Sequence, residues 1–336
     1  MSAPTQNRQW KLRARPTGMV GREHFDFVTA PVPSPAAGEA LVEVQYVSLD
    51  PAMRGWLNDA KSYVPPVGLG EVMRALGVGR VVESKDPALA AGDFVTGLTG
   101  IQAFAAAPAK AWTKIDPNLV PLPRWLGVVG MPGMTAYFGL LDIGAPIKAG
   151  ETLVVSAAAG AVGAVVGQLG KIHGLRVVGI AGGGDKCRYL VDELGFDAAI
   201  DYKHDDVRAK LRESCPQGID IYFDNVGGEI LDHALAQLRK RARVVICGAI
   251  SQYNSASGIV GPKNYLSLLV NRARMEGFVI LDFAARYPEA AMALAGWHKA
   301  GKLKAREDIV DGIEQFPEAL GKLFRGENFG KLVLEI

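Results

Sequence analysis

The run Leu153-Val-Val-Ser-Ala-Ala-Ala-Gly160-Ala-Val-Gly163 holds the residues of this chain best suited to chemistry. A β-branched apolar segment passes through small residues into a glycine-punctuated helix start. That order is the setting in which a G-x-G-x-x-G fingerprint binds the pyrophosphate of a dinucleotide. Ala158 stands at the first glycine position, and Gly160 and Gly163 hold the other two. Gly160 would let the backbone approach the pyrophosphate, and Gly163 would let helix and strand pack closely. The turn Gly160-Ala161-Val162-Gly163 also offers unpaired N–H groups and the positive end of a helix dipole. A glycine-rich buried helix start with no ligand is the alternative.

Roughly 20 residues on, an NAD site places an acid at the end of the second strand to bind the ribose 2′-hydroxyl. Here that strand ends Gly179-Ile-Ala-Gly-Gly-Gly184 with no acid at its tip, and Lys186 follows. A cation in that place favours a 2′-phosphate, hence NADP(H), although a solvated helix lysine would look the same. Asp185 is well placed to cap the next helix.

These residues need a scaffold of alternating strands and helices. Buried strands are expected at 153–156, 177–180, 198–200, 220–224, 243–247 and 275–281, with helices at 161–173, 185–194, 205–214, 228–240 and 264–271. Six strands in βαβ order give a doubly wound parallel sheet of α/β class. Residues 1–125 read differently, as short strands between Pro/Gly turns. Among them are 41–47, with Val42, Val44 and Tyr46 on one face, 77–84 and 94–98. That texture implies a compact β-barrel-like domain. A helix at 288–300, a second at 316–325 and a strand at 331–336 complete the chain, and the strand needs a sheet to join.

Composition removes several classes of function. The 40 glycines among 336 residues lack the every-third spacing of collagen, and 49% hydrophobic content excludes a low-complexity linker. A net charge of +2 gives no basis for a nucleic-acid or membrane-surface partner. Three scattered cysteines, Cys187, Cys215 and Cys247, make neither a disulfide framework nor a zinc cluster and fit a reducing, cytoplasmic setting. The polar first residues carry no secretion-signal pattern. The 19 uncharged residues 152–170 read as strand, turn and helix and not as a membrane span.

The segment from Ala157 to Lys171 resembles the cofactor loop and helix of medium-chain dehydrogenases/reductases. Four more segments narrow the resemblance: Tyr222–Gly228, Cys247–Asn254, Arg274–Phe278 and Glu327–Lys331. Together they are similar to the zinc-independent alkenal/one double-bond reductases, a group that includes prostaglandin reductases, leukotriene hydroxydehydrogenases and curcumin reductases. The resemblance runs from Ser48-Leu-Asp-Pro51 onward. It implies a GroES-like β-barrel catalytic domain at 1–125, a Rossmann NADP-binding domain at 126–296, and a return of 297–336 to the first. It implies that Gly160–Gly163 bind the pyrophosphate and that Lys186 and Tyr202 lie at the 2′-phosphate. Asn225, the loop Cys247-Gly248-Ala249-Ile250-Ser251 with Tyr253, the segment Phe278-Val279-Ile280, and Asn328 would contact the rest of the cofactor. Relatives are commonly homodimers, and the resemblance implies the same here.

The activity implied is NADPH-dependent reduction of the C=C bond of an α,β-unsaturated ketone or aldehyde. Tyr253 is the expected hydrogen-bond donor to the carbonyl oxygen, where charge develops. Residues 1–125 contain no cysteine and one histidine, His24, short of the three ligands a catalytic zinc needs. One departure stands out. Relatives commonly read Asp-Pro-Tyr-Met-Arg near the cleft, whereas this chain has Asp50-Pro-Ala52-Met-Arg54. Ala52, Arg54 and Met134 are the expected substrate-pocket residues. An NADPH:quinone reductase and a non-catalytic NADP-binding protein remain open as other readings.

Overall fold

The computed structural model describes residues 5–336. They form two compact units. One comprises the residues up to Leu126 together with Glu307–Ile336, and the other Gly127–Arg306.

In the first unit a seven-stranded sheet runs in the order Glu307–Asp311, Lys331–Glu335, Glu39–Ser48, Leu76–Ser84, Phe94–Leu98, Thr113–Ile115, with Phe104–Pro108 also paired to Glu39–Ser48. Lys331–Glu335 lies between a parallel neighbour, Glu307–Asp311, and an antiparallel one, Glu39–Ser48. The antiparallel pair Gln6–Leu12 and Phe25–Pro31 adds Trp10, Leu12 and Phe25 to a core shared with Val42, Val47, Met53, Phe316 and Leu320. Trp10 is fully buried, and its indole N–H donates to the Ile313 carbonyl at 2.7 Å, so its polar atom is satisfied. This is the GroES-like barrel architecture expected. Within Glu39–Ser48 the simple alternation fails: a register shift between Val44 and Tyr46 turns Val47 into the main core. Tyr46 is left half-buried, with its hydroxyl on Glu335 at 3.0 Å. A bulge adds one residue and exchanges the faces beyond it.

The second unit holds six strands, β1 (Thr152–Ser156), β2 (Arg176–Ala181), β3 (Ala198–Asp201), β4 (Ile219–Asp224), β5 (Leu238–Ile246) and β6 (Arg274–Gly277). All pair in parallel, in the spatial order 3-2-1-4-5-6 of a Rossmann sheet. All five residues of β1 are buried, as a strand covered on both faces requires. The uncharged run 152–170 is β1, a turn and most of the helix Gly163–Ile172. Among the described residues no helix is long and apolar enough to cross a membrane.

Three boundaries differ from expectation. The helix expected to 240 ends at Leu235, because Leu238 already pairs beside Ile219 on β4 and starts β5 early. β6 stops at Gly277, where Phe278 turns its ring inward against Gly139 beside Phe223. The second unit extends to Arg306 and not 296: helix Tyr287–Lys299 buries Ala290 and Leu294, and the Lys304 N–H donates to Gln168 Oε1 at 2.7 Å.

Candidate cofactor site

β1 and β4 are neighbours whose following helices leave on opposite sides, so their carboxyl ends form the crevice where open α/β sheets bind ligands. One carboxylate organises that point. Asp224, 1% exposed, accepts at Oδ1 from Tyr222 Oη, Ser156 Oγ and the Val226 and Gly227 N–H groups, each at 3.0 Å. Its backbone carbonyl accepts from Cys247 and Gly248 at 2.9 and 3.1 Å. Asn225 is drawn back onto β1: its N–H donates to Ser156 Oγ at 2.8 Å and its Nδ2 to the Ser156 carbonyl at 2.7 Å. Burial holds the Asp224 carboxyl above its ordinary value against the hydrogen bonds that oppose this.

The fingerprint loop separates its glycines by task. A Cβ on Gly163 would meet the Ala157 carbonyl at 2.4 Å, and one on Gly167 would strike the Phe196 ring at 1.9 Å. These two let the helix lie close on the sheet. A Cβ on Gly160 would meet only the Ala157 carbonyl, at 3.2 Å, so that turn keeps an open side. Ala158, in place of the first glycine, is fully buried and keeps an ordinary backbone, donating to Ile180 O at 2.9 Å. Gly179 on β2 makes room for it: a Cβ there would sit 2.9 Å from that of Ala158. The left-handed backbone falls instead on Ala157, at φ +48°. The missing glycine is thus compensated from the adjacent strand.

At the tip of β2 the chain runs through Gly182, Gly183 and Gly184 into a short helical turn carrying half-buried Lys186. Asp185 is not the cap expected: Gly183 holds that position, and Asp185 pairs with Arg188. Tyr202 and Lys203, after β3, fold back over Gly182, where an added Cβ would meet their Cε1 and Cε atoms at 2.8 and 2.9 Å. Lys186 and Tyr202 therefore flank one short stretch of backbone.

The loop after β5 closes the other side. The Ala249 N–H donates to Tyr253 Oη at 3.0 Å, and an added Cβ on Gly248 would lie 2.9 Å from the same oxygen. The phenol is thus folded over its own loop. Ile250 and Ser251 return to β4 through backbone bonds to Asn225 O and Val226 O, each 3.2 Å. Cys247 is held as a neutral thiol, pushed up to about 12 by burial and then by Asp224. Beyond β6, the Phe278 ring is turned into the fold, edge-on to Phe283 at 6.4 Å, so the 278–280 stretch offers mainly backbone. Ile280 O accepts from Tyr287 Oη at 3.0 Å.

The remaining candidates fall elsewhere. Met134 is buried in helix Met131–Phe138 of the second unit. Ala52, Arg54 and Asn328 belong to the first unit. Ala52 opens the helical turn Ala52–Trp56. Arg54 is buried, and its guanidinium donates to Pro16 O and Gly18 O at 2.9 and 3.1 Å and to Asn58 Oδ1 at 2.6 Å, a set of contacts that anchors this turn. Asn328 donates to Gly330 O at 3.1 Å in the turn before Lys331–Glu335. Ser156 and Asp224, which hold the loops, lie inside quoted segments, 153–163 and 222–228, but were given no role of their own there. Only their positions at strand ends could have marked them.

Comparison with known proteins matches two family models to the chain, an N-terminal domain of oxidoreductase over residues 8–115 and a zinc-binding dehydrogenase over residues 161–296. The chain is 44% identical to the NADPH-dependent curcumin reductase of Escherichia coli, over 98% of this chain and 97% of that protein. It is 39% identical to prostaglandin reductase 1 of Mus musculus, over 98% and 99%. The crystal structure of CurA from Vibrio vulnificus in complex with NADPH superposes with a TM-score of 0.92 at 45% identity, covering 98% of each chain.

Proposed function

The chain belongs to the medium-chain dehydrogenase/reductase superfamily, in its double-bond reductase branch, and from that premise we propose that it reduces the C=C bond of α,β-unsaturated ketones and aldehydes with NADPH. The observation that carries this reading is near full-length similarity to reductases of that kind, on a sheet whose carboxyl ends keep an open glycine turn at Gly160. When bound, NADPH supplies the hydride for the β-carbon of the substrate. The residues that would hold it are Gly160–Gly163 at the pyrophosphate, Lys186 and Tyr202 at the 2′-phosphate, and the Cys247–Tyr253 loop with Asn225, the 278–280 backbone and Asn328 along the rest.

As hydride adds to the β-carbon, charge grows on the carbonyl oxygen, and a donor aimed there lowers the barrier. Tyr253 is assigned this role. Its oxygen accepts the Ala249 N–H, which fixes the phenol over the loop at the carboxyl end of the sheet. Cys247, kept as a thiol, is no nucleophile. Ala52 offers neither the ring nor the hydroxyl that a tyrosine would bring to the substrate. No zinc takes part: the residues up to Leu126 offer His24 and no cysteine.

Two finer assignments follow. Helix Leu266–Asn271 buries none of its residues, with Leu269 74% and Val270 69% exposed, and edge strand β6, which follows it in the chain, is exposed throughout. An unpaired edge with an apolar flank suits a two-fold partner, so a homodimer through this face is assigned. Three free cysteines suit a reducing cytoplasm.

NADPH consumption is measured with an enone panel, a quinone panel and no acceptor. Enone turnover with a kcat drop of about a hundredfold in Tyr253→Phe supports the reading. Turnover of quinones alone, or NADPH binding without turnover, replaces it. Leu269→Glu should halve the mass seen by sedimentation.

A further inference from the structure

The tip of β2 lacks an acid, yet one stands on the neighbouring strand. Asp201 ends β3, and its Oδ1 accepts from Gly183 N at 2.7 Å and from Lys203 N at 3.0 Å. Its Oδ2 faces His204 Nδ1 at 2.8 Å. The Asp201 N–H is fixed in turn by Asp205 Oδ2 at 2.9 Å. Gly183 sits at φ +100°, a conformation that L side chains rarely adopt, and a Cβ there would meet nothing. The β2 arm is therefore held in a left-handed turn whose N–H points at one carboxylate. The β3 arm, carrying Tyr202 and Lys203, hangs from the same oxygen.

We propose that Asp201 is the positioning residue that sets the preference for NADPH over NADH. It ties the arm bearing Lys186 to the arm bearing Tyr202 and Lys203, so that both close on the 2′-phosphate as one clasp. The proposal rests on the reading of Lys186 as the residue that meets that phosphate. An acid beside an anionic ligand has the wrong sign unless its charge is already engaged. Two backbone N–H groups and the imidazole engage it here, and these bonds hold the carboxyl below its ordinary value although burial opposes them. The acid that an NAD site would turn toward a ribose is here spent on the loop itself.

The distinction between position and charge is testable because asparagine keeps the geometry. In Asp201→Asn the amide oxygen can accept both N–H groups. Full-length wild type, Asp201→Ala, Asp201→Asn and Lys186→Ala are titrated calorimetrically with adenosine 2′,5′-bisphosphate and with adenosine 5′-monophosphate. Steady-state kinetics follow with NADPH and NADH. Asp201→Ala should weaken the bisphosphate about tenfold, the size of a hydrogen bond to a charged group, while the monophosphate changes by less than about twofold. The NADPH effect should lie in KM more than in kcat, and Asp201→Asn should recover most of it. If Asp201→Ala folds poorly, Gly183→Ala attacks the clasp from its other side and should give the same selective loss. Equal weakening of both nucleotides overturns the proposal, as does tighter bisphosphate binding in Asp201→Asn. A selective loss in Lys186→Ala with none in Asp201→Ala rejects the clasp but keeps the 2′-phosphate reading. No selective loss in either variant rejects both.

Discussion

Two aspartates hold the loops at the carboxyl edge of the parallel sheet, and they do so under opposite conditions. Asp224 is sealed at the junction of β1 and β4, with Tyr222, Ser156 and two backbone N–H groups converging on one oxygen. Asp201 sits at the rim, with a side chain 13% exposed, and joins two surface turns. Burial prevails at Asp224 and raises its carboxyl, whereas hydrogen bonds prevail at Asp201 and lower it. The same side chain thus serves the architecture of the crevice in one place and the selectivity of its mouth in the other. Stability should depend on the first and ligand choice on the second.

Asp224→Ala is the strongest challenge to that contrast. It strands several buried donors and should destabilise the protein on the order of 3 kcal/mol in denaturant titration. A loss no larger than that of Asp201→Ala would break the comparison. Tyr222→Phe removes one fully buried donor and should cost about 1 kcal/mol, with the KM for NADPH little changed. Asp201→Ala should shift the melting temperature by no more than about 2 °C, since its site is near solvent, yet should change cofactor choice most.

The smallest effect is in the pH dependence, where the two should differ in sign. Asp201 is lowered on folding, so its contribution is present above the unfolded value of ~3.9 and is lost as pH falls through the folded one. The melting gap between wild type and Asp201→Asn should close in acid. Asp224 is raised on folding, so its contribution is fully present below the unfolded value and fades as pH rises through the folded one. The gap to Asp224→Asn should widen as pH falls from neutral. Parallel trends would show that one environment has been misjudged.

Sequence patterning carried the Rossmann half well, because β1 is uncharged with an apolar centre, Leu153–Val155, and Gly160 and Gly163 have few other uses at a strand-to-helix turn. Helix Phe316–Arg325 was legible to the residue from its amphipathic spacing. Strand Glu307–Asp311 was missed, since none of its residues is fully buried, three of the five are acidic, and it has one neighbour only. Gln6–Leu12 and Phe25–Pro31 lack a tight-turn signature between them. In the site, Lys186 and the glycines announced themselves through local spacing. Asp224 and Asp201 did not, because what marks them is the convergence of N–H donors from segments distant in sequence. Ala158 looked like a defect in the fingerprint and is matched by Gly179 across a strand pair that no local pattern displays.

Strand Lys331–Glu335 has a consequence for how the protein is made. It pairs with Val47 and Ser48 from inside the sheet, nearly 300 residues away in the chain. At translation rates of about 5–20 residues per second, the edge of Glu39–Ser48 waits roughly 15–60 s for its partner. The second unit, contiguous in sequence, can fold in that interval, whereas the first must keep a half-made sheet from pairing with another chain. The first unit is therefore begun first on the ribosome and finished last, and its exposure to aggregation is set by the length of the second unit inserted within it.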